Sequence, residues 1–126
     1  MNQLVFRSWL ALALSLPLRV LAADGDAAAA ADWPVVGRQG VIHVVIVPAD
    51  QLRDEAAYRR QIARLCVPAQ SCFINFYSNS SGAIPAVPLP EAIAAEATVV
   101  FRRSLKQGAE LFSWRCSLKD EPGRCF

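Results

Sequence analysis

The chain of 126 residues is 54% hydrophobic and 19% charged, with 13 basic and 11 acidic side chains and a formal net charge of +2. Removal of residues 1–22 would take away Arg7 and Arg19 but no acid, and would leave a formally neutral chain. Bulk charge therefore gives no attraction to nucleic acid. The length that remains accommodates one domain of ordinary size, but not two.

The N-terminal segment is typical of a secretory signal peptide. A short polar start that ends at Arg7 precedes the apolar run 9–18, whose length of about ten residues is too short to span a bilayer as a helix. We predict a signal peptide over 1–22, cleaved after Ala22 or Ala23, with no stable membrane span in the mature chain. The alternative is an uncleaved membrane anchor, since only one basic residue precedes the apolar run.

Residues 23–32 form a low-complexity stretch of Ala and Asp with almost no side chain to bury. This composition predicts a disordered linker. A single small domain over 33–126 is expected to follow.

The four cysteines lie in that domain and are even in number, which predicts two disulfides in an oxidising compartment. Three connectivities are open, and the longer crossed pairings are not excluded by energy. We favour Cys66 with Cys72 and Cys116 with Cys125, because each pair flanks a short segment with Pro or Gly that can turn back on itself.

The first predicted elements form a strand, a helix and a second strand. The β-branched run 41–47 predicts a buried strand, and apolar spacing after Asp50, a good N-cap residue, predicts a helix that continues to Cys66. The aromatic segment 72–78 predicts the second strand. Such a series implies a right-handed crossover with the two strands parallel.

The second half of the domain begins with a Pro-rich stretch, 83–90, which is expected to be extended. Pro90 then opens a predicted second helix that runs to about Arg103. Alternation of polar and apolar residues over 109–116 predicts a third strand. The fold class expected is α/β or α+β: one small disulfide-stapled domain of β-α-β-α-β order, with a three-stranded sheet and two helices.

Few residues point to catalysis. His43 is the only histidine and lies inside the most apolar predicted strand, where a core or sheet-face role is expected. There is no nucleophile-elbow pattern, and the cysteine spacing lacks the C-x-x-C pair of a zinc knuckle or a thioredoxin-like site. We therefore predict no catalytic residue, no metal ligand and no cofactor.

Binding is the remaining class of function. A three-stranded sheet with two helices can leave one face uncovered, and aromatic and basic side chains there would contact a partner. The residues predicted for this surface are Tyr77, Phe112, Trp114, Arg102 and Arg103.

The sequence thus predicts a periplasmic or extracellular binding or accessory protein without catalytic activity. Its partner would be an unknown protein or small molecule of the cell envelope. One alternative is a small periplasmic hydrolase or thiol-redox enzyme with an unrecognised site. Another is a structural subunit of an envelope assembly, docked through an exposed edge strand, 109–114.

Overall fold

The computed structural model describes residues 31–126, which form an α+β domain with two disulfides and a five-stranded mixed sheet. The predicted signal peptide, and all of the predicted linker except its last two residues, lie outside the described part. The strands are β1 Val35–Gln39, β2 Ile42–Ile46, β3 Cys72–Tyr77, β4 Ala97–Ser104 and β5 Ala109–Trp114. The helices are α1 Glu55–Leu65 and α2 Glu91–Ala94, with a 3₁₀ turn at Ala49–Gln51. Within residues 31–126, no helix is long and apolar enough to cross a membrane.

The order of the strands across the sheet is their order in the chain, from β1 to β5. β2 and β3 are parallel and are connected through α1, which confirms that the two predicted strands are parallel. The other three neighbouring pairs are antiparallel.

The prediction of three strands is wrong, because two of the five strands lack a strong local signal. β1 was not predicted to be a strand. It is a short edge strand whose pairing register with β2 shifts between Val35 and Gly37. β4 occupies most of the predicted second helix, which in fact ends at Ala94. The β-branched and aromatic run 98–101 pairs with β3 on one side and β5 on the other, and this pairing overrides the helical spacing of its apolar residues.

Helix α1 also begins later than predicted. Its N-cap is Asp54, whose side chain accepts a hydrogen bond from the backbone amide of Ala57 at 3.1 Å. Asp50, predicted to be the cap, lies in the 3₁₀ turn. The helix ends at Leu65, immediately before the first disulfide.

The face of the sheet that packs against α1 carries the main hydrophobic core. Tyr58 of α1 is fully buried at its centre, with its ring centroid 4.9 Å from that of Trp33 and 5.1 Å from those of Phe76 and Trp114. All three contacts are edge-to-face, a favourable arrangement for aromatic rings. The core therefore lies between α1 and β2 to β5.

The opposite face has a second, smaller cluster in which Val44, Tyr77 and Ile93 are buried. The segment 79–90 and α2 contribute Ala83, Leu89 and Ile93 to this cluster. Only part of this face is involved, because the cluster contains no residue from β5.

The disulfides are Cys66–Cys72 and Cys116–Cys125, which is the favoured pairing. The first lies in the main core, whereas the second fixes the tail that follows β5. All four cysteines lie within residues 31–126, and none of them is free.

Candidate functional site

The five residues predicted to form one surface lie on two different faces of the sheet. Trp114 is only 2% exposed and packs in the α1 core. Phe112 is half-buried on the same face, where the guanidinium carbon of Arg59 lies 4.3 Å from its ring centroid. Arg103 lies on that face as well, with its Nε 3.2 Å from an oxygen of Glu110.

Tyr77 and Arg102 lie on the opposite face. Tyr77 is 8% exposed and belongs to the smaller cluster, and its hydroxyl accepts a hydrogen bond from the Asn75 amide at 3.2 Å. Of the five predicted residues, only Arg102 therefore lies on the part of this face that the smaller cluster leaves out.

That remaining part of the sheet is the candidate interaction surface, which we call the open face. The strand register aligns Ile42, Phe73, Arg102 and Leu111 in one row across β2 to β5, with Asn75 and Val100 in the next row. Leu111 is 49% exposed and the other five are half-buried. Among the described residues, none of the four apolar ones belongs to a core cluster.

Alternation along β3 puts Phe73 and Asn75 on a common face, but the predicted surface did not include Leu111 or Ile42. The signal for Leu111 was the alternation along β5, since a strand that buries Phe112 and Trp114 on one face presents Leu111 on the other.

Arg102 is held rigidly in the middle of the open face. Its Nη1 donates to the carbonyl oxygens of Phe101 at 2.9 Å and Ile74 at 3.2 Å, and its Nη2 donates to Oδ1 of Asn75 at 2.8 Å. Its guanidinium carbon lies 5.9 Å from the ring centroid of Phe73. Burial lowers the pKa of Arg102 from its usual value, opposed by the Tyr77 side chain.

No carboxylate within residues 31–126 forms an ion pair with Arg102. A guanidinium has five N–H donors, so some donors remain available beyond the three bonds made here. Arg102 is therefore a partly desolvated, preoriented cation among apolar side chains, and the domain supplies no anion to it.

A second candidate site lies where the parallel strands β2 and β3 end. Two adjoining cavities of about 400 and 380 Å³ share Leu52, Ser78 and Glu96 in their walls. The carboxyl ends of parallel strands are a frequent position for ligand sites in open sheets. We call the larger of the two the carboxyl-end cavity.

Glu96 carries the charge of the carboxyl-end cavity. Both of its carboxylate oxygens accept from the backbone amide of Ser80, at 3.0 and 3.2 Å, and one also accepts from the Ser78 hydroxyl at 3.2 Å. Hydrogen bonds, first from Ser80 and then from Ser78 and Ser81, lower the pKa of Glu96 although partial burial opposes them. Glu96 is therefore ionised at neutral pH.

The exposed edge of the sheet at β5 is partly covered by the tail. The amide of Phe126 donates to the Trp114 carbonyl at 3.0 Å, and the amide of Cys116 donates to the Phe126 carbonyl at 2.9 Å. The Ser113 hydroxyl also donates to the carbonyl of Arg124. The edge strand considered for a structural subunit is thus paired with the tail at its C-terminal end.

His43 has no nucleophile beside it in the described part of the chain. Its Nε2 lies 3.2 Å from Nη2 of Arg38, and burial followed by the charge of Arg38 lowers the pKa of His43. Neither hydroxyl nor carboxylate groups of residues 31–126 form hydrogen bonds with this imidazole. The ring is thus placed as a partner of Arg38 rather than as a base beside a nucleophile.

Among the described residues, one group of metal-ligand side chains is close enough to surround an ion: Cys116, Asp120 and Cys125. The two sulfur atoms are joined in a disulfide. Thiolates are the ligand form of cysteine, so this group offers a single carboxylate in the oxidised protein.

Comparison with known proteins gives no match: no family model matches the sequence, and neither a curated protein nor a solved structure is significantly similar to it.

Proposed function

We propose that this protein is an exported, non-catalytic binding protein that docks onto a partner protein through the open face. The observation that carries this proposal is the state of Arg102, which is oriented by three hydrogen bonds and has no carboxylate partner within the described chain. Aromatic and arginine side chains that are already partly desolvated are typical centres of protein interfaces.

The chemistry of the open face indicates what the partner presents. Phe73, Ile42 and Leu111 form an apolar surround for one positive charge. A complementary surface would place a carboxylate, from Asp or Glu or a chain terminus, among apolar side chains. A second copy of this chain bound through the same face does not fit, because the residues of the open face include no carboxylate that could pair with Arg102 of the other copy.

The proposed location is outside the cytoplasm. Two disulfides in a domain of this size are compatible with an oxidising periplasmic or extracellular compartment. The predicted signal peptide, although outside the described residues, supports the same location.

Site-specific photo-crosslinking tests this proposal. A photoreactive amino acid at Leu111, in the protein exported by its natural host, should give a discrete crosslinked product. The same amino acid at Ala63, which is exposed on α1, should not give that product.

The arginine on the open face and its sequence neighbour supply the matched variants. R102Q should reduce the Leu111 product about tenfold or more, since losing a charge-assisted hydrogen bond costs on the order of 1.5 to 3 kcal/mol. R103Q removes the same charge from the other face of the sheet and should leave the product unchanged. A Leu111 product that resists R102Q, or that R103Q reduces equally, would refute the proposal.

A further inference from the structure

We infer that the carboxyl-end cavity binds a small organic ammonium ion, with the ammonium group against Glu96 and the hydrocarbon part against the apolar wall of the cavity. This site is separate from the open face. No residue that lines the cavity belongs to the open face, and the inference does not depend on the proposed partner-binding function.

The charge in the cavity is a carboxylate without a cation. Within residues 31–126, Glu96 forms no ion pair with any lysine, arginine or histidine. Its carboxylate is held in place by hydrogen bonds, of which those from the Ser80 amide reach both oxygens and that from the Ser78 hydroxyl reaches one. An added N–H donor that carries positive charge therefore has a fixed, preoriented acceptor.

Besides Glu96, the cavity is lined by the polar residues Ser78, Asn79 and Ser80 and by an apolar wall. The apolar wall is formed largely by the chain that leaves β2, in which Val47 is 2% exposed and Ile46 and Pro48 are half-buried. Ala49 and Leu52 extend the same wall. An apolar wall of this kind can contact a hydrocarbon group of a ligand, but it has no charged side chain to pair with a second charged group on that ligand.

The volume of about 400 Å³ lies at the lower end of the range of small-ligand pockets. Together, one fixed carboxylate and one apolar wall select an amphipathic cation, such as a primary alkylamine. A free anion is disfavoured by the charge of Glu96, and a polyol would leave the apolar wall without a contact.

Titration of the oxidised, ¹⁵N-labelled protein with n-butylammonium chloride tests the inference, with n-butanol as the uncharged control of similar shape. Butylammonium should shift the backbone amide signals of Ser78, Ser80 and Glu96 in a saturable way. Butanol at the same concentration should leave them unshifted. The inference is refuted if butylammonium causes no saturable shift at these amides, or if butanol shifts them equally.

Two variants separate recognition from a structural role of Glu96. E96Q keeps an oxygen that can accept from Ser80 but removes the charge, and should weaken binding about tenfold or more. E91Q removes an exposed acid of α2 that does not line the cavity, and should change the affinity less than twofold.

Ala49 supplies an independent check, because it is exposed and lines the apolar wall. A49L should fill part of the cavity beside the apolar wall and weaken butylammonium binding, although the Glu96 carboxylate is still present. Unchanged affinity in both E96Q and A49L would place the amine elsewhere and overturn the inference. Neither variant should alter the Leu111 crosslink, so this inference and the proposed function can fail separately.

Discussion

Removing the two disulfides one at a time should destabilise the domain to different extents, because one is in the core and the other is at the surface. Cys66 and Cys72 are 5% and 6% exposed, whereas Cys116 is exposed and Cys125 is half-buried. The loops are similar, with sequence separations of 6 and 9. On the chain-entropy model each therefore contributes about 2 to 3 kcal/mol. Any clear difference between the two losses of stability must therefore come from how the cysteine side chains are packed.

Packing favours the first disulfide. Replacing two buried half-cystines by alanine leaves unfilled volume in the core and should cost roughly 1 kcal/mol for each sulfur removed. We therefore expect C66A/C72A to lower the free energy of unfolding by about 4 to 5 kcal/mol, and C116A/C125A by about 2 to 3 kcal/mol.

Urea unfolding followed by tryptophan fluorescence measures both values, since Trp33 and Trp114 are buried in the core next to α1. Wild-type protein under graded thiol reductant should also be labelled first at the exposed pair, Cys116 and Cys125. Equal destabilisation by the two double variants, or a larger effect at the exposed pair, would refute this reasoning. It would show that the tail contributes more to stability than its exposure indicates.

Two further predictions concern Tyr58 and His43. Y58F should lower the free energy of unfolding by about 1 to 2 kcal/mol. It removes a hydroxyl that lies 2.8 Å from the Leu52 carbonyl oxygen and 3.0 Å from the Thr98 hydroxyl. An unchanged midpoint of urea unfolding would contradict this prediction. Burial, opposed by the Thr98 hydrogen bond, raises the pKa of Tyr58 to about 12. The stability that the neutral Tyr58 contributes should therefore be fully present below pH ~10 and should be lost as the pH rises towards the pKa of Tyr58 in the folded protein. An ultraviolet titration should show one tyrosine that ionises at higher pH than an ordinary tyrosine. The pKa of His43 should lie below 6.5 by NMR, because burial and then the charge of Arg38 disfavour protonation. Stability linked to this group should be complete above pH ~6.5 and should fall as the pH drops through the folded pKa. In R38Q the His43 pKa should rise, and a value unaffected by R38Q would contradict the assigned contact.

Elements with a strong local signal were predictable from the sequence. The continuous β-branched run of β2 and the aromatic run of β3 need no tertiary information to be identified as strands, and the cysteine pairs close short loops. β4 was not predictable in this way. Its first residue, Ala97, lies only three positions after the end of α2, and pairing with strands on both sides fixes the conformation of β4.

The five residues predicted to form one surface do not share one face of the sheet. Alternation correctly predicts that Phe112 and Trp114 share a face, but it does not say which face α1 covers. The structure buries this pair against Tyr58 and leaves Leu111 beside Arg102. Which face of β5 is buried depends on where α1 packs on the sheet, and the local sequence of β5 does not determine this.

The carboxyl-end cavity was not predicted for a related reason. Glu96 and Ser78 are 18 positions apart, and they meet only because β3 and β4 pair in antiparallel fashion. Glu96 falls inside the second helix that the sequence predicts from Pro90 to about Arg103, and that prediction does not bring it near the end of β3.

The succession of neighbouring strands has a consequence for the order of assembly. Each strand from β2 to β5 pairs with the strand before it in the chain, and contacts between segments close in sequence form quickly. Each disulfide likewise joins two cysteines that are consecutive in the sequence. In a polypeptide that emerges N-terminus first, the oxidants of the compartment can therefore join Cys66 and Cys72 before Cys116 is available. Vectorial emergence into an oxidising compartment would thus give the native connectivity directly, without a step in which mispaired sulfurs are exchanged.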